Sequence, residues 1–270
     1  MKKLFTALLA LVLGATCLFS ATACDLFGGG ETKTVTIGYT DYAPMNYEED
    51  GVLVGFDTEL AKKVFSELGY EVRFKLIDWS NKYTELNSGT IDCVWNGFTA
   101  NCADDDGVQR SDKVDFSYNY MTNAQCVIRK NTTAELSSSA EFVGKSVAFE
   151  ASSAGQSYVD AVAGNINKKP LTSQMDAVRE VNAGTAEYAV VDLLLAQSLA
   201  GNGNYSNIVI NESIVIDAEY YAIGFKKGSD LTSKVNGKIV ELAESGYLAT
   251  LAEKYGLSTQ VIVDYADQIA

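Results

Sequence analysis

Apolar and polar positions along the chain repeat with two different periods, which predict strands and helices in turn. The segment "TVTIGYT", residues 34 to 40, has the β-branched character of a buried strand, and "EVRFKLI", residues 71 to 77, alternates like one. Between them, the apolar residues of "DTELAKKVFSELGY" recur at three- and four-residue spacing, which predicts a helix that ends at Gly69. A strand, a helix and a strand in this order predict a parallel sheet, so the fold class is α/β.

Two stretches of the sequence, "LNSGTIDCVWNG" and "VNAGTAEYAVVD", echo one another 95 residues apart. In each, the pattern predicts a helix that ends at a glycine, Gly89 or Gly184, and then a short apolar strand. Polar groups follow both strands, at 96–99 and at Asp192. The echo is either a chance repeat of a common joint or the mark of two similarly built lobes. Ligands of open parallel sheets bind beyond the carboxyl ends of the strands, so two lobes would place both polar groups at binding edges.

A third stretch, "GKSVAFEASSAGQSYVDAV", predicts a strand that runs through a turn of small residues, Ser152 to Gly155, into a helix. Backbone amides at the start of such a helix favour an anion. The alternative is a helix whose serine caps its own first turn, and this stretch alone favours that alternative.

Composition narrows the classes of function. A chain of 270 residues with 47% hydrophobic residues is long enough to bury a large core. The formal net charge of −14, without a block of Lys or Arg, argues against nucleic acid as a partner. The absence of histidine excludes His-based triads and imidazole metal sites. No cysteine spacing resembles a zinc site, so neither a metal nor a cofactor is predicted.

The first residues predict export. Residues 1–23 contain two lysines, an apolar stretch and then small residues, as in a signal peptide. "ATAC" resembles a bacterial lipobox, so Cys24 is the predicted site of lipidation and residues 24–33 a flexible tether; the alternative is an ordinary secretory signal. The predicted location is the extracellular face of the cytoplasmic membrane, or the periplasm in a Gram-negative cell. Cys93, Cys102 and Cys126 allow one disulfide at most, and its pairing stays open.

Five segments in order resemble the polar amino-acid-binding solute-binding proteins of ABC importers, bacterial extracellular solute-binding protein family 3. They are "DYAPMNYEEDGVLVGFDTELAKKVFSELG", "LNSGTIDCVWNGFT", "RSDKVDFS", "GKSVAFEASSAGQSYV" and "YAVVD". The resemblance implies a two-lobed, periplasmic-binding-protein-like α/β fold of type II, with parallel-rich sheets, flanking helices and a hinge of two chain crossings. Lobe 1 is expected at 34–127 and 217–270, with the C-terminal helices packed on it, and lobe 2 at 128–216.

The resemblance also implies a ligand site. Arg110 matches the arginine that binds the ligand carboxylate, and Asp192 matches the aspartate that binds the ammonium group. The other matching positions are the aromatic lid Tyr42, the first-lobe contacts Asn96, Gly97 and Thr99, and the second-lobe amides of Ser153 and Ala154. The family pattern has a short run before the arginine, whereas "ANCADDDGVQ" separates Thr99 from Arg110 here. We expect Asp104, Asp105 and Asp106 to form a solvated tip and Arg110 to stay free for the ligand.

The implied function is capture of an amino acid and its delivery to an ABC permease by a monomeric, membrane-anchored binding protein that is not an enzyme. Asp41, Trp79 and Glu150 are candidates for contact with the ligand side chain and favour a polar or cationic amino acid, whereas Lys82 argues the opposite way. Two alternatives remain. One is an amino-acid sensor, and the other is a dehydratase-like enzyme with Glu150 as its general acid.

Overall fold

A computed structural model of the chain describes residues 33–214 and 216–269. The predicted signal peptide, the lipidation site Cys24 and all of the predicted tether but its last residue lie outside the described residues. None of the described helices combines the length and the apolar character that a bilayer crossing requires.

Strands and helices alternate along most of the chain. The strands are β1 (Lys33–Tyr39), β2 (Tyr47–Glu49), β3 (Val52–Val54), β4 (Tyr70–Leu76), β5 (Cys93–Val94), β6 (Asp115–Phe116), β7 (Met121–Lys130), β8 (Ser146–Glu150), β9 (Asn167–Leu171), β10 (Tyr188–Asp192), β11 (Ile208–Ile210), β12 (Ala218–Tyr221) and β13 (Gly224–Phe225). The α-helices are α1 (Phe56–Glu67), α2 (Lys82–Ser88), α3 (Arg110–Lys113), α4 (Ala154–Ala161), α5 (Gln174–Ala183), α6 (Leu193–Leu199), α7 (Leu231–Glu244), α8 (Tyr247–Lys254) and α9 (Ala266–Ile269). Short 3₁₀ turns lie at Trp79–Asn81, Ser139–Phe142 and Gly203–Tyr205.

Two main sheets are present. The first has the strand order β4-β1-β5-β13-β6, with β1 and β5 parallel and β13 antiparallel to both of its neighbours. Because β13 follows β12 late in the sequence, this sheet takes strands from both ends of the chain. The second has the order β11-β7-β10-β8-β9, with β8 parallel to β9 and β10 and β7 antiparallel to β10 and β11.

Strand β7 takes part in two pairings. Its first residues pair antiparallel with β12, from Met121 opposite Tyr221 to Ala124 opposite Ala218. Its later residues pair with β10, and Gln125 stands opposite Asp192. The β7–β12 pair also reaches the end of the first sheet, because the Ala100 N–H donates to the Tyr220 carbonyl at 2.8 Å. This pairing does not fix the lobe boundaries, which stay a prediction.

The elements predicted from periodicity are confirmed. Helix α1 buries one apolar face, and Gly69 follows it in the left-handed conformation. Helices α2 and α5 both end at the predicted glycines, Gly89 with φ 73° and Gly184 with φ 81°, and a strand follows each. Each glycine N–H bonds back to a carbonyl of the last helical turn, which satisfies groups that the helix itself leaves open.

The C-terminal helices α7 and α8 pack against α1, as predicted. The Tyr255 hydroxyl accepts a hydrogen bond from Gly55 N–H at 3.2 Å, and Lys254 lies 2.6 Å from Glu59. Fully buried Leu60, Val64 and Phe65 of α1 join the same core. Burying a side chain of this size stabilises the fold by roughly 1.5 to 3 kcal/mol. This packing therefore stabilises the part of the fold that contains the first sheet.

Candidate functional site

Polar side chains from both sheets meet around a small cavity. Nine of the eleven residues predicted for contact with the ligand or its side chain line it. These are Trp79, Asn96, Gly97, Thr99, Arg110, Glu150, Ser153, Ala154 and Asp192, and Gln174 lies with them. Strand β5 of the first sheet and the parallel strands β8 and β10 of the second sheet end at this cavity, since ligands of open parallel sheets bind beyond the carboxyl ends of the strands.

Arg110 begins the short helix α3 and is 1% exposed. Its Nη1 donates to the Thr99 carbonyl at 3.1 Å, and its Nη2 donates to the Ser152 carbonyl at 3.4 Å. The guanidinium lies 5.2 Å from the centre of the Phe98 ring. These contacts hold a planar cationic fork at the wall of the cavity.

The expectation that three aspartates form a solvated tip is wrong for Asp104. Its side chain is 2% exposed, and Oδ1 accepts from Arg110 Nε at 2.8 Å. Asp105 and Asp106 are exposed, as expected. Burial favours a raised pKa for Asp104, but the charge of Arg110 and the bonds from Lys113 and Tyr83 lower the pKa to about 2. Arg110 is therefore a structural partner of an acid even without a ligand.

Asp192, at the end of β10, is a buried carboxylate that forms no ion pair within the described residues. Its Oδ2 accepts from the Tyr221 hydroxyl at 2.8 Å and from Gln174 Nε2 at 2.9 Å. Oδ1 accepts from Gln125 Nε2. Burial raises the pKa of Asp192 against the opposing effect of these hydrogen bonds. Such a group gains most from a cation, and the cavity beside it is where a cation can enter.

Glu219 on β12 is a site residue that sequence reasoning missed. Its buried Oε2 accepts from Thr99 Oγ1 at 3.1 Å and from Gln125 Nε2 at 3.0 Å. Burial first, and the charge of Asp192 second, raise the pKa of Glu219 to about 7. Side chains alternate between the two faces of a strand, so Glu219 lies on the same face of β12 as Tyr221. This alternation is the one signal in the sequence that Glu219 faces the interior.

The strand end at 96–99 is rigid before any ligand binds. The Asn96 side chain accepts from Thr40 Oγ1 at 2.6 Å and donates to the Thr40 carbonyl and to Asn46 Oδ1. The Gly97 N–H donates to Asp57 Oδ2 at 3.0 Å. A backbone contact from Gly97 to a ligand would therefore use its carbonyl oxygen. Thr99 Oγ1 donates to Glu219, so this hydroxyl presents lone pairs.

The first turn of α4 fits both interpretations of its sequence, a helix capped by its own serine and a helix start that favours an anion. Ser153 Oγ accepts from Gln156 N–H at 3.2 Å, so the serine caps its own helix. Ser153 and Ala154 nevertheless line the cavity, at the positive end of the helix dipole. Ser152, just before them, has φ 58°, and this left-handed turn directs its carbonyl to Arg110 and Lys82.

Two predicted residues lie outside the cavity lining. Tyr42 is fully buried, and its hydroxyl lies 2.7 Å from the hydroxyl of Tyr221, which donates to Asp192. Tyr42 therefore reaches the site through Tyr221 rather than by forming its wall. Asp41 is half-exposed and pairs with Arg179 at 3.7 Å, on a different surface depression.

Two buried ionisable side chains, Glu150 and Lys82, lie near the expected side-chain end of the cavity. Glu150 Oε1 is buried without a hydrogen-bond partner in the described chain, and burial raises the Glu150 pKa well above its usual range. Lys82 Nζ donates to the Ser152 carbonyl at 3.0 Å and lies 5.0 Å from the Trp79 ring centre. Burial first, then the charge of Arg110, lower the Lys82 pKa to about 7. Its proton donors are directed to backbone carbonyls.

No group of three or more Cys, Asp or Glu side chains within 33–214 and 216–269 is arranged to hold a metal ion. Cys93, Cys102 and Cys126 are free thiols in this structure, and the first and third are buried.

Comparison with known proteins gives three close parallels. The arginine-binding extracellular protein ArtP of Bacillus subtilis (strain 168) is 28% identical over 253 residues, which cover 91% of this chain and 96% of ArtP. The L-cystine-binding protein TcyA of the same organism is 28% identical over 239 residues, 86% of this chain and 84% of TcyA. The solved structure of an ancestral arginine-binding protein bound to glutamine is 28% identical and superposes with a TM-score of 0.75, covering 82% of this chain and 97% of that one.

The likeness to these solved structures confirms the predicted two-lobed α/β fold, the type II periplasmic-binding-protein fold. The family model of the bacterial extracellular solute-binding proteins, family 3, matches residues 35–258. Since that match spans most of the chain, the protein belongs to the bacterial extracellular solute-binding proteins, family 3.

Proposed function

We propose that the protein captures a free amino acid in the cavity lined by Arg110 and Asp192 and delivers it to an ABC importer. The observation that carries this proposal is Asp192, a buried carboxylate that forms no ion pair within the described residues and shares one cavity with the buried guanidinium of Arg110. A zwitterion supplies an ammonium group for the first and a carboxylate for the second. The amides at the start of α4 add donors for the carboxylate.

The ligand side chain is expected to be polar or cationic. Glu150 Oε1 has no partner in the described chain, and a buried acceptor without a hydrogen bond costs about 1 to 3 kcal/mol. A donor on the ligand side chain would remove that cost, and Trp79 beside it offers a ring face to a cation. Lys82 no longer argues for an acidic ligand, because its ammonium group bonds to backbone carbonyls. The names of ArtP and of the ancestral protein, arginine-binding in both, agree with this choice.

A thermal-shift panel tests the proposal. The purified mature protein is screened with the twenty standard L-amino acids, cystine and ornithine. A ligand at 100 times its dissociation constant adds about 2.7 kcal/mol to the free energy of unfolding. Absence of a shift with every compound would remove the proposal, and preference for aspartate or glutamate in competition would overturn the side-chain class. Recovery of unchanged amino acid after incubation separates binding from the dehydratase-like alternative.

A matched pair of variants makes the panel specific. Asp192→Asn should abolish the shift, because it removes the charge that faces the ammonium group. Asp160→Asn, which alters an aspartate paired with Lys168 at the surface, should leave the shift unchanged.

We further propose that Cys24 is lipidated and holds the protein at the extracellular face of the cytoplasmic membrane, or at the periplasmic side in a Gram-negative cell. The sequence "ATAC" after an apolar stretch supports this proposal. An anchored binding protein keeps its ligand close to a permease. Lobe 1 at 34–127 and 217–270 and lobe 2 at 128–216 would close over the ligand about two chain crossings.

A further inference from the structure

The segment between Thr99 and Arg110 is an ordered loop. Asp104 N–H donates to the Val108 carbonyl at 3.0 Å, and Gly107 N–H donates to the Asp104 carbonyl at 2.9 Å. Arg110 N–H then closes the loop on the Cys102 carbonyl at 3.2 Å. The loop thus folds back on itself, and its one deeply buried carboxylate, Asp104, lies behind Arg110.

Asp104 is held from three sides. Oδ1 accepts from Arg110 Nε at 2.8 Å, while Oδ2 accepts from Tyr83 hydroxyl at 2.6 Å and from Lys113 Nζ at 2.8 Å. Tyr83 and Lys113 belong to α2 and α3, two separate elements that fix the carboxylate. A carboxylate with every oxygen engaged has little freedom to move, and so its partner Nε has little freedom either.

The guanidinium has five N–H groups. The structure uses one at Nε for Asp104, one at Nη1 for Thr99 and one at Nη2 for Ser152. Each terminal nitrogen therefore keeps one donor for a ligand, which is the arrangement that a two-point contact with a carboxylate needs.

We propose that Asp104 is a positioning residue, which holds Arg110 by Nε so that both terminal nitrogens can grip the ligand carboxylate. This inference rests on the proposed function, since it assumes that a ligand carboxylate binds Arg110. The positioning competes with repulsion, because a negative charge stands behind the cation that the ligand approaches. Lys113 shares the carboxylate at 2.8 Å and offsets its charge, which weakens this repulsion.

Asp106 supplies a matched control in the same loop. It pairs with the same Lys113 at 2.8 Å, but its side chain is 54% exposed and makes no contact with Arg110 in the described structure. Asp106→Asn removes one negative charge from the loop, as Asp104→Asn does. Any effect on the ligand carboxylate that depends on charge alone should therefore appear in both variants.

The experiment measures binding by calorimetry with two matched pairs of probes, L-arginine with L-argininamide and L-glutamine with L-glutaminamide. Each amide keeps the side chain and the ammonium group but lacks the carboxylate. Asp104→Ala should weaken binding of the free acids by roughly tenfold or more and of the amides by less than about threefold. Asp104→Asn keeps an acceptor oxygen and the shape of the side chain, so its affinity for the free acids should lie between those of wild type and Asp104→Ala. It also provides a test if the alanine variant does not fold.

Several outcomes overturn the inference while leaving the proposed function intact. Equal losses for acids and amides would mean that Asp104 only supports the fold. Tighter binding of the acids by Asp104→Asn would mean that repulsion dominates, and an Asp106→Asn effect as large as that of Asp104→Asn would mean that loop charge alone matters. Additive effects of Asp104→Ala and Arg110→Lys would show that the two residues act independently. A thermal-shift panel in which wild type binds none of the twenty-two compounds would overturn the inference together with the proposed function on which it rests.

Discussion

Arg110 illustrates how one side chain can serve both the fold and a ligand. Its Nε completes a buried pair with Asp104, while its terminal nitrogens line the cavity. Removing one partner of a buried pair is costly because the other partner remains charged and desolvated. The sequence-based expectation that Arg110 stays free for the ligand is therefore wrong for its Nε, which pairs with Asp104.

Arg110→Ala and Arg110→Lys should separate the two roles. The alanine variant should lose about 2 to 4 kcal/mol of unfolding free energy and weaken binding by roughly one to two powers of ten. The lysine variant keeps a charge for Asp104 but loses the planar fork, so it should recover more stability than affinity. Urea unfolding and calorimetry at a temperature where both variants are folded measure the two quantities. Wild-type affinity in Arg110→Lys would contradict a two-point contact.

Glu219 gives the ligand-free protein a dependence on pH. Its ordinary pKa of 4.5 is raised to about 7 in the fold, mainly by burial. Between these values the folded state holds the proton more strongly than the unfolded state, so this residue's contribution to stability falls as pH rises from about 4.5 to 7. Glu219→Gln removes that loss. The free energy of unfolding of the variant, measured relative to that of wild type, should therefore increase by on the order of 1 to 3 kcal/mol between pH 5 and pH 8.

Urea unfolding at the two pH values measures the effect of Glu219→Gln. The exposed Glu212→Gln is the control and should show the same difference from wild type at both. Lys82 acts in the opposite direction, because its lowered pKa of about 7 makes stability rise with pH above that value. Since Lys82 is present in wild type and in Glu219→Gln, its effect cancels in the comparison. If Glu219→Gln differs from wild type by the same unfolding free energy at pH 5 and at pH 8, burial does not raise the pKa of Glu219.

At the scale of elements, the strand end at 96–99 joins the site to the core. Gly97 has φ 58°, and a methyl group there would lie 2.6 Å from Tyr42 Cε1 and 3.0 Å from Tyr221 Cε2. Both rings belong to the hydroxyl chain that ends on Asp192. A side chain at this position would therefore disturb the backbone and the two tyrosines together.

Gly97→Ala should cost more than Gly89→Ala. Gly89 has a similar φ of 73°, but a methyl group there would meet no described atom within 4 Å, so its substitution measures backbone strain alone, about 1 to 2 kcal/mol. Gly97→Ala adds overpacking of roughly 1 to 3 kcal/mol and should also weaken binding through Tyr221. Unfolding and calorimetry check both effects. Equal costs at the two glycines would show that the tyrosine rings move aside freely.

How far the sequence predicts an element depends on how local its cause is. Helix α1 and the glycines that end α2 and α5 follow from periodicity and backbone conformation within a dozen residues, and all were predicted. The Asp104–Arg110 pair depends on the path of an inserted loop and on α2 behind it, so no local pattern distinguished Asp104 from Asp105. Glu219 reaches the site only because β12 pairs with β7, a contact far apart in sequence. The missed residues are those placed by tertiary structure alone.

At the scale of the whole molecule, the proposed function combines closure of two lobes over a ligand with attachment to a membrane. The structure joins the two sheets across the cavity, since the Ser152 carbonyl on one side accepts from Lys82 and Arg110 on the other. A ligand that bridges Arg110 and Asp192 would add to these contacts and favour the closed state, because it binds that state better. The proposed closure therefore depends on residues of both sheets that lie at this cavity.

The proposed attachment to the membrane depends on Cys24. Acyl chains contribute about 0.8 kcal/mol for each CH₂ group that enters the bilayer, so two or more chains on one cysteine hold a protein against washing. The full chain expressed in a bacterium should therefore remain in the membrane fraction in high salt and leave it in detergent. Cys24→Ala should appear in the soluble fraction, while Cys102→Ala, which alters a half-buried thiol of the folded part, should stay with the membrane. Release of the unaltered protein by salt alone would mean that charged contacts, not a lipid, attach it to the membrane. Retention of Cys24→Ala in the membrane fraction would mean that a different part of the chain attaches it.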